Sequence, residues 1–106
     1  MLAREHRLRS SDDIRQVVKT GKRVSNSVAT IHYLNSETTK FAVVTSKSVG
    51  NAVVRNRARR RAKALLASKQ NSNLQIQAVV RLRAEAGAMN WEQISSGLTE
   101  LLGRIK

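Results

Sequence analysis

The sequence predicts one small α+β domain in which helices cover one face of a mixed sheet. Two patterns support this fold class: apolar residues recur at helical spacing in three segments, and three other segments have the alternating or continuous apolar character of strands. The expected order along residues 1–106 is helix, strand, strand, short extended segment, helix, strand, helix. Such an order favours a two-layer sandwich whose second sheet face is left partly open.

A short helix is predicted after a basic arm formed by residues 1–9. One of the serines at 10–11 can cap it, and the aspartates at 12–13 then lie in the first turn, where the helix dipole stabilises negative charge. Gly21 ends the helix, and we interpret the basic residues at 22–23 as charges of the following loop. The apolar side of this helix comprises Ile14, Val17 and Val18.

Two strands are expected next. Residues 27–34 alternate β-branched or aromatic side chains with polar ones, and residues 41–46 form a nearly continuous apolar run. Residues 35–39 between them have the composition of a turn, so these two strands are expected to pair as an antiparallel hairpin. A brief extended segment within residues 47–51 then leads into the second helix.

The second helix is the most distinctive segment of the chain. Gly50 and Asn51 supply a flexible residue and an N-capping side chain, and every residue from 53 to 69 is compatible with a helix. Its narrow apolar stripe comprises Val54, Ala58, Ala62 and Leu65, with Leu66 at the edge. Seven residues between positions 55 and 69 are Lys or Arg, and no acidic residue occurs from 38 to 84. The helix therefore has a thin face to bury and a wide cationic face.

This cationic face predicts a polyanionic partner. A charged helix face that meets only solvent normally mixes signs, because Glu–Lys pairs at helical spacing stabilise a helix. The formal net charge of +13 and the high arginine content favour nucleic acid, since guanidinium groups bind phosphates through two parallel hydrogen bonds. A membrane surface is not expected as the partner, because large apolar residues do not border the arginines.

A third strand and a third helix complete the chain. Residues 74–83 alternate apolar with polar or basic side chains, which is typical of a half-buried strand with a partly basic second face. Asn90 followed by Gln93 matches a helix capping box. The apolar stripe of the helix begins with Trp91, which we therefore expect in the core. The other members of the stripe are Ile94, Leu98, Leu101, Leu102 and Ile105.

The composition argues against catalysis by this chain. Cysteine is absent, which excludes disulfides and thiolate metal sites. His6 and His32 are the only histidines, the acids are not clustered except at 12–13, and no Gly-rich phosphate loop occurs. We therefore expect no catalytic residue and no metal site in the protein. The sequence has neither a membrane-spanning run nor an apolar signal segment, so a cytoplasmic location is expected.

The central segment resembles a known signature. Residues 49–57 are Val-Gly-Asn-Ala-Val-Val-Arg-Asn-Arg, and three further arginines follow at 59–61. This ordered string, with its Arg-Asn-Arg core, is similar to the signature of the bacterial ribonuclease P protein subunit. The resemblance extends over nearly the whole chain, from the basic segment at 4–9 through the short helix ending at Gly21 to the strand that ends in Arg83.

The resemblance implies a fold of the ribosomal protein S5 domain 2-like type and a role beside a catalytic RNA. In this family the RNA removes 5′ leaders from precursor tRNA with magnesium ions, which the RNA mainly holds, and the protein supplies no catalytic residue. The implied partners are the ribonuclease P RNA and the precursor leader, with no DNA and no membrane. The residues expected to contact the catalytic RNA are Lys47, Asn51, Arg55, Asn56, Arg57, Arg59, Arg60 and Arg61. Those expected at a leader-binding cleft are Arg7, Arg9, Ile14, Val18, His32, Tyr33 and Arg83.

The chain departs from the family pattern in the expected cleft. Family members commonly have Phe where this chain has Ile14 and an aromatic residue near Val18. Both residues are aliphatic here, so stacking on a base is not expected at these positions.

Three other functions compete with this one. A ribosomal or other structural RNA-binding protein fits the composition and charge equally well. A DNA-binding protein would place the arginine helix in a major groove, but a strand follows this helix where a helix-turn-helix protein has another helix. A nuclease acting through its own side chains would need clusters of acidic residues that the sequence lacks.

Overall fold

The computed structural model describes residues 11–37, 39–69 and 75–105. Its strands are β1 (Lys22–Ser25), β2 (Ala29–Asn35), β3 (Lys40–Val44) and β4 (Ile76–Leu82). Its helices are α1 (Ser11–Thr20), α2 (Ala52–Lys69) and α3 (Trp91–Gly103). A first 3₁₀ turn (Lys47–Val49) precedes α2, and a second 3₁₀ turn (Ala84–Ala88) precedes α3. The α+β fold class is confirmed. None of the described helices is both long enough and apolar enough to cross a membrane.

The four strands form one mixed sheet in the order β1-β2-β4-β3. Because β4 is antiparallel to β2 and parallel to β3, it separates the two strands that were expected to form a hairpin, and that prediction is wrong. The centre of β4 explains its position: Ala78, Val79 and Val80 are all buried, and a strand that is apolar on both faces is most stable between two others. The chain passes from β3 to β4 through α2, as a parallel pair requires.

Two short segments also differ from the prediction. Lys22 and Arg23, expected in a loop, belong to β1 and pair with Tyr33 and His32 of β2. Exposed charges suit an edge strand because they prevent it from pairing with another chain. The extended segment expected before α2 is instead the first 3₁₀ turn, since the chain reverses direction there to enter the helix.

The main core lies between the sheet and the pair α2 and α3. Most residues of the two predicted apolar stripes are buried, namely Ala58, Ala62, Leu65 and Leu66 on α2 and Ile94, Leu98, Leu101 and Leu102 on α3. Val54, the first residue of the predicted α2 stripe, is partly buried against the same core. They pack on a sheet face that includes Ile31, Phe41 and Val80. Ala58 and Ala62 are 2% and 0% exposed, so their small side chains bring the α2 backbone close to the sheet.

α1 packs on the opposite face of the sheet, which corrects the expectation that the helices lie on one face only. Val17 is buried against Val79 of β4, and Ile14 and Val18 pack beside them. The reason is again the apolar centre of β4, because Val79 points away from the main core and needs a cover of its own. α1 covers only part of this sheet face. Arg23 and Arg81 lie on the same face outside the α1 cluster and are exposed.

Trp91 was expected in the core, and the structure contradicts this: its side chain is 43% exposed. The capping box between Asn90 and Gln93 makes Trp91 the first residue of α3. A helical side chain covers the turn that precedes its own Cα, and α3 has no preceding turn at this position. The apolar stripe is therefore fully buried only from Ile94 onward.

Candidate nucleic-acid interface

Two residues fix the start of α2. Gly50 has a φ of +147°, which favours glycine, and a Cβ at this position would lie 2.7 Å from Cγ1 of Val54. Asn51 caps the helix as predicted, since its Oδ1 accepts a hydrogen bond from the Val54 amide at 3.0 Å. Because the first residue of α2 is fixed, the direction in which each following arginine side chain points is fixed as well.

We call the polar surface of α2 the arginine face, formed by Arg55, Asn56, Arg57, Arg59, Arg60, Arg61 and Lys63. Two of its arginines bind the polypeptide itself. Arg61 Nη1 donates to the Met89 carbonyl at 2.7 Å, and Arg57 Nη2 donates to the Gly87 carbonyl at 3.4 Å. Residues four apart lie on one edge of a helix, so both bonds hold the second 3₁₀ turn against α2. Each guanidinium keeps further N–H donors for a ligand.

The Arg59 side chain extends from α2 toward β3. Its Nη2 donates to Thr45 Oγ1, just after the end of the strand, at 3.2 Å. This hydrogen bond ties the arginine face to the parallel edge of the sheet.

A shallow depression of 470 Å³ lies along the outer side of the arginine face. It is lined by Val53, Asn56, Arg59, Arg60 and Lys63. Val53 is 73% exposed, so an apolar floor borders three cationic side chains. Val53 and Lys63 were not among the predicted contacts, although their helical spacing from Asn56 and Arg60 was visible in the sequence.

Arg55 is partly buried, as are Arg59 and Arg61, but it differs from them in the state of its Nε. Its Nε is buried and has no hydrogen-bond partner among the described residues. A buried donor left unpaired costs about 1–3 kcal/mol, so a ligand oxygen that reached Arg55 would remove this cost. Lys47 is exposed in the first 3₁₀ turn, and all eight residues predicted to bind the catalytic RNA thus lie on α2 or in the segment that enters it.

The second candidate surface is the sheet face beside α1, which we call the open face. His32 lies on it, since it alternates along β2 with the core residues Ile31 and Tyr33 and pairs with Val79. Arg23 pairs directly with His32, and Arg81 lies two residues from Val79 on the same face. Burial lowers the pKa of His32, and the charges of Arg81 and then Arg23 lower the pKa further.

The predicted cleft residues are only partly brought together. Ile14 and Val18 lie on the side of α1 that packs on the sheet, next to the open face. Tyr33 lies on the opposite side of the sheet, in the main core, and is 6% exposed, so it does not join His32. Arg83 is exposed and pairs with Glu85 at 3.6 Å. Residues 7 and 9, also predicted to line the cleft, lie outside the described part of the chain.

Arg23 and Arg81 were not predicted as cleft residues. The alternation of residues 74–83 had indicated a partly basic second face for β4, which was the available signal for Arg81. Arg23 gave no such signal, because its strand was not recognised. Within residues 11–37, 39–69 and 75–105, no group of three or more His, Cys, Asp or Glu side chains is placed to hold a metal ion.

Comparison with known proteins identifies the family and the fold of the chain. A family model described as Ribonuclease P matches residues 2–106. The ribonuclease P protein component of Acidothermus cellulolyticus is 32% identical over 110 residues, which cover 99% of this chain and 92% of that protein. The solved RNase P protein of Staphylococcus aureus is 25% identical, with a TM-score of 0.86 over 92% of this chain and 93% of the other. The Thermotoga maritima RNase P protein, at 20% identity, shares the fold with a TM-score of 0.84 over 94% and 97% of the two chains.

Proposed function

Since the chain belongs to the family of the bacterial ribonuclease P protein component, we propose that it binds the catalytic RNA through the arginine face and the 5′ leader of precursor tRNA through the open face. Proteins of this family are subunits of the endoribonuclease that processes the 5′ ends of tRNA, with the ribonuclease P RNA as partner. We place the complete particle in the bacterial cytoplasm.

The observation that carries the proposal is the presence of two basic surfaces on opposite sides of one sheet. α2 presents the arginine face on the side of the main core, and Arg23 and Arg81 lie on the side of α1. A protein of net charge +13 can therefore bind two RNA segments at once. Neutralising phosphates on both releases counterions, which favours the complex and lowers the concentration of magnesium needed to hold the RNAs together.

The arginine face fits folded RNA. Its guanidinium groups are spaced along one helix, and Arg57, Arg59 and Arg61 are held in place by bonds to the protein before any RNA arrives. Such preorganisation reduces the entropy that binding would otherwise cost. Arg60, Asn56 and Lys63 project outward around the depression and supply donors for phosphate and ribose oxygens. Lys47, Asn51 and Arg55 extend the same contact surface toward the start of α2.

The open face fits an extended single strand. Ile14 and Val18 form an apolar border at α1, and His32, Arg23 and Arg81 form a polar floor on the sheet. An RNA leader lying between them would have its bases against the apolar border and its backbone over the cations. Arg83, with Arg7 and Arg9 of the N-terminal arm, would continue this basic path.

We assign no chemical step to the protein. The described residues offer no cluster of metal-binding side chains, so they do not fit a magnesium site, and we propose that the magnesium ions of the reaction are bound mainly by the RNA subunit. The protein would increase affinity for the precursor without donating a proton or a nucleophile. This division of labour makes the contribution of each surface measurable as a binding effect.

The experiment is cleavage of precursor tRNA at limiting magnesium by ribonuclease P RNA alone, with the wild-type protein, and with Asn56→Ala/Arg60→Ala. Both replaced side chains are exposed, so the variant is expected to fold. Arg104→Gln is the matched control, because it removes one exposed cation just after α3, outside the arginine face.

Stimulation by the wild type and the control, with most of it lost in the double variant, supports contact between the arginine face and the catalytic RNA. Folded wild-type protein that gives no stimulation would contradict the proposal. That result would favour a structural RNA-binding protein with no role in processing.

A further inference from the structure

We propose that Arg23, His32 and Arg81 form a subsite for one phosphodiester of the RNA leader, and that His32 takes up a proton when this phosphate binds. The inference rests on the proposed leader-binding role of the open face. Beyond that role, it names a phosphodiester as the group of the leader that this face binds, and it predicts that this binding depends on pH. The register of the sheet, the balance of charge and the placement of the aromatic residues support it.

The register brings the three side chains together. Arg23 is the direct partner of His32 across β1 and β2, and Arg81 is the direct partner of Thr30, two residues along the same face from His32. Directly opposed residues have Cβ atoms about 5 Å apart, and diagonal neighbours about 7–8 Å. The imidazole therefore lies between two guanidinium groups, close enough for one phosphate to contact all three, with the Thr30 hydroxyl beside them.

The charges of this cluster are not balanced by the strands. Arg23 and Arg81 are exposed cations on the same face, and the structure gives neither side chain a hydrogen bond or ion pair to another described residue. β2 separates the strands that carry Arg23 and Arg81, and like charges held on either side of one strand repel each other. An anion placed between them would relieve this repulsion, which a neutral ligand could not do.

The other elements packed on this face leave the field at His32 positive. α1 carries the aspartates at 12–13 in its first turn, of which Asp12 pairs with Arg15, and Lys19 in its last turn. β3 contributes Lys40, which pairs with Gln77 next to the α1 cluster. None of these charges is among the causes that shift the pKa of His32, which are burial and the charges of Arg81 and Arg23.

The low pKa of free His32 gives the subsite its dependence on pH. The imidazole is neutral in the free protein at neutral pH, because burial and both arginines disfavour its protonation. A bound phosphodiester brings a negative charge to the ring and accepts a hydrogen bond from its protonated form, so binding raises the pKa. Affinity then increases as pH falls, by at most about tenfold per pH unit for one linked proton.

The placement of the aromatic residues favours a phosphate over a stacked base as the occupant. The chain has one Trp, one Tyr and one Phe. Tyr33 and Phe41 are buried in the main core on the far side of the sheet, and Trp91 begins α3. Among the described residues, His32 is therefore the only aromatic ring on the open face, whereas single-stranded RNA is normally held by several. Recognition of the leader backbone remains as the interaction that this face can supply.

The experiment uses the reconstituted ribonuclease P particle and precursor tRNAs that carry a single methylphosphonate linkage, which removes the charge of one phosphodiester, at successive leader positions. The quantity measured is the ratio of affinities for precursor and leaderless tRNA, across the range in which histidine titrates, about pH 5.5–7.5. The proteins are wild type, His32→Gln, Arg23→Gln and Arg81→Gln, with Arg104→Gln as the charge-matched control on the other side of the sheet.

With the wild type and the control, the ratio should increase as pH falls, and a methylphosphonate at one position should abolish the increase. His32→Gln should abolish it as well, and the same methylphosphonate should then have little further effect. Arg23→Gln and Arg81→Gln should each lower the ratio and reduce the slope of log affinity against log salt by about 0.7.

Two results would contradict different parts of the proposal. A ratio above one that is unaffected by pH, by His32→Gln and by every methylphosphonate would overturn the phosphate subsite while leaving leader binding intact. Equal affinities for precursor and leaderless tRNA at every pH would overturn the leader-binding role itself. As an independent measurement, inorganic phosphate added to the free protein should raise the pKa of the His32 ring, assigned in the NMR spectrum by comparison with His32→Gln. A pKa unchanged by phosphate counts against the subsite.

Discussion

Arg61, in the middle of the cationic helix, donates a hydrogen bond of 2.7 Å to the main-chain carbonyl of Met89, two residues before α3. A side chain that we propose to bind RNA is thus also part of the protein's own tertiary structure. Arg57 does the same at Gly87. The arginine face therefore contains two kinds of residue: those that also hold the second 3₁₀ turn in place and those, such as Arg60, that project freely from the helix.

This difference predicts distinct effects for Arg60→Ala and Arg61→Ala. Both variants should lose affinity for ribonuclease P RNA, because each removes one of the cations that we propose to bind phosphate. Arg61→Ala should in addition lower the free energy of unfolding by roughly 1 kcal/mol, the usual net value of one hydrogen bond. Urea unfolding of the free proteins and RNA titrations at several salt concentrations separate the two effects. Equal stabilities of the two variants would show that the bond to Met89 contributes nothing to the fold.

The cap of α2 predicts that Asn51→Ala destabilises the protein by about 1 kcal/mol, the typical cost of losing an N-cap acceptor. The Val54 amide would lose its partner at 3.0 Å, and the first turn carrying Arg55 would fray. Asn51→Ser, which restores an acceptor, should recover most of the loss. Chemical denaturation monitored by circular dichroism measures both. If the serine variant is no more stable than the alanine variant, contact of Asn51 with something other than the helix amide must explain the loss.

Two glycines of α3 predict opposite responses to alanine. A Cβ at Gly97 would overlap the Val28 side chain, lying 2.9 Å from its Cβ, so Gly97→Ala should destabilise the protein by about 1–3 kcal/mol through overpacking. Gly103 has nothing within 4 Å of the same position, so Gly103→Ala should be neutral or stabilise by up to about 1 kcal/mol through higher helix propensity. Thermal unfolding of the pair tests this. Equal melting temperatures would mean that Val28 can move aside without cost.

His32 predicts a pH dependence of stability in the free protein. Its folded-state pKa is lowered, so at low pH the unfolded chain binds the proton more readily than the folded chain does. The free energy of unfolding should therefore fall as pH decreases through the usual histidine value of about 6.5, and this part of the decrease should end below the folded-state pKa. His32→Gln should lack this contribution. Identical pH profiles for the two proteins, measured by denaturant titration, would show that the environment of His32 does not oppose protonation.

The elements with strong periodicity were predictable. The apolar stripe of α2, that of α3 from Ile94 onward, the Asn51 cap and the capping box at Asn90 depend on residues within one or two turns. These features are as expected from the sequence. The arginine face was predictable for the same reason, since a helix fixes the direction of every side chain once its start is known.

The arrangement of the sheet was not predictable from local patterns. A turn-like segment at residues 35–39 suggested a hairpin, but the pairing is decided by β4, which is distant in sequence and apolar on both faces. The open face followed the same rule: Arg23 joins His32 only because β1 pairs with β2. Burial of Trp91 was predicted wrongly, because apolar periodicity does not show which residues at the end of a helix lack packing partners.

The strand order β1-β2-β4-β3 has a consequence for synthesis of the protein on the ribosome. β3 has no partner until β4 arrives, because β2 and β3 do not pair with each other. The sheet therefore cannot close before Leu82 has emerged, and by then all of α2, with its arginines, is already outside. Such non-local pairing slows folding. The nascent chain thus exposes its most cationic segment before the sheet on which that segment packs is complete. An RNA that bound the segment at this stage would bind it before the fold had formed.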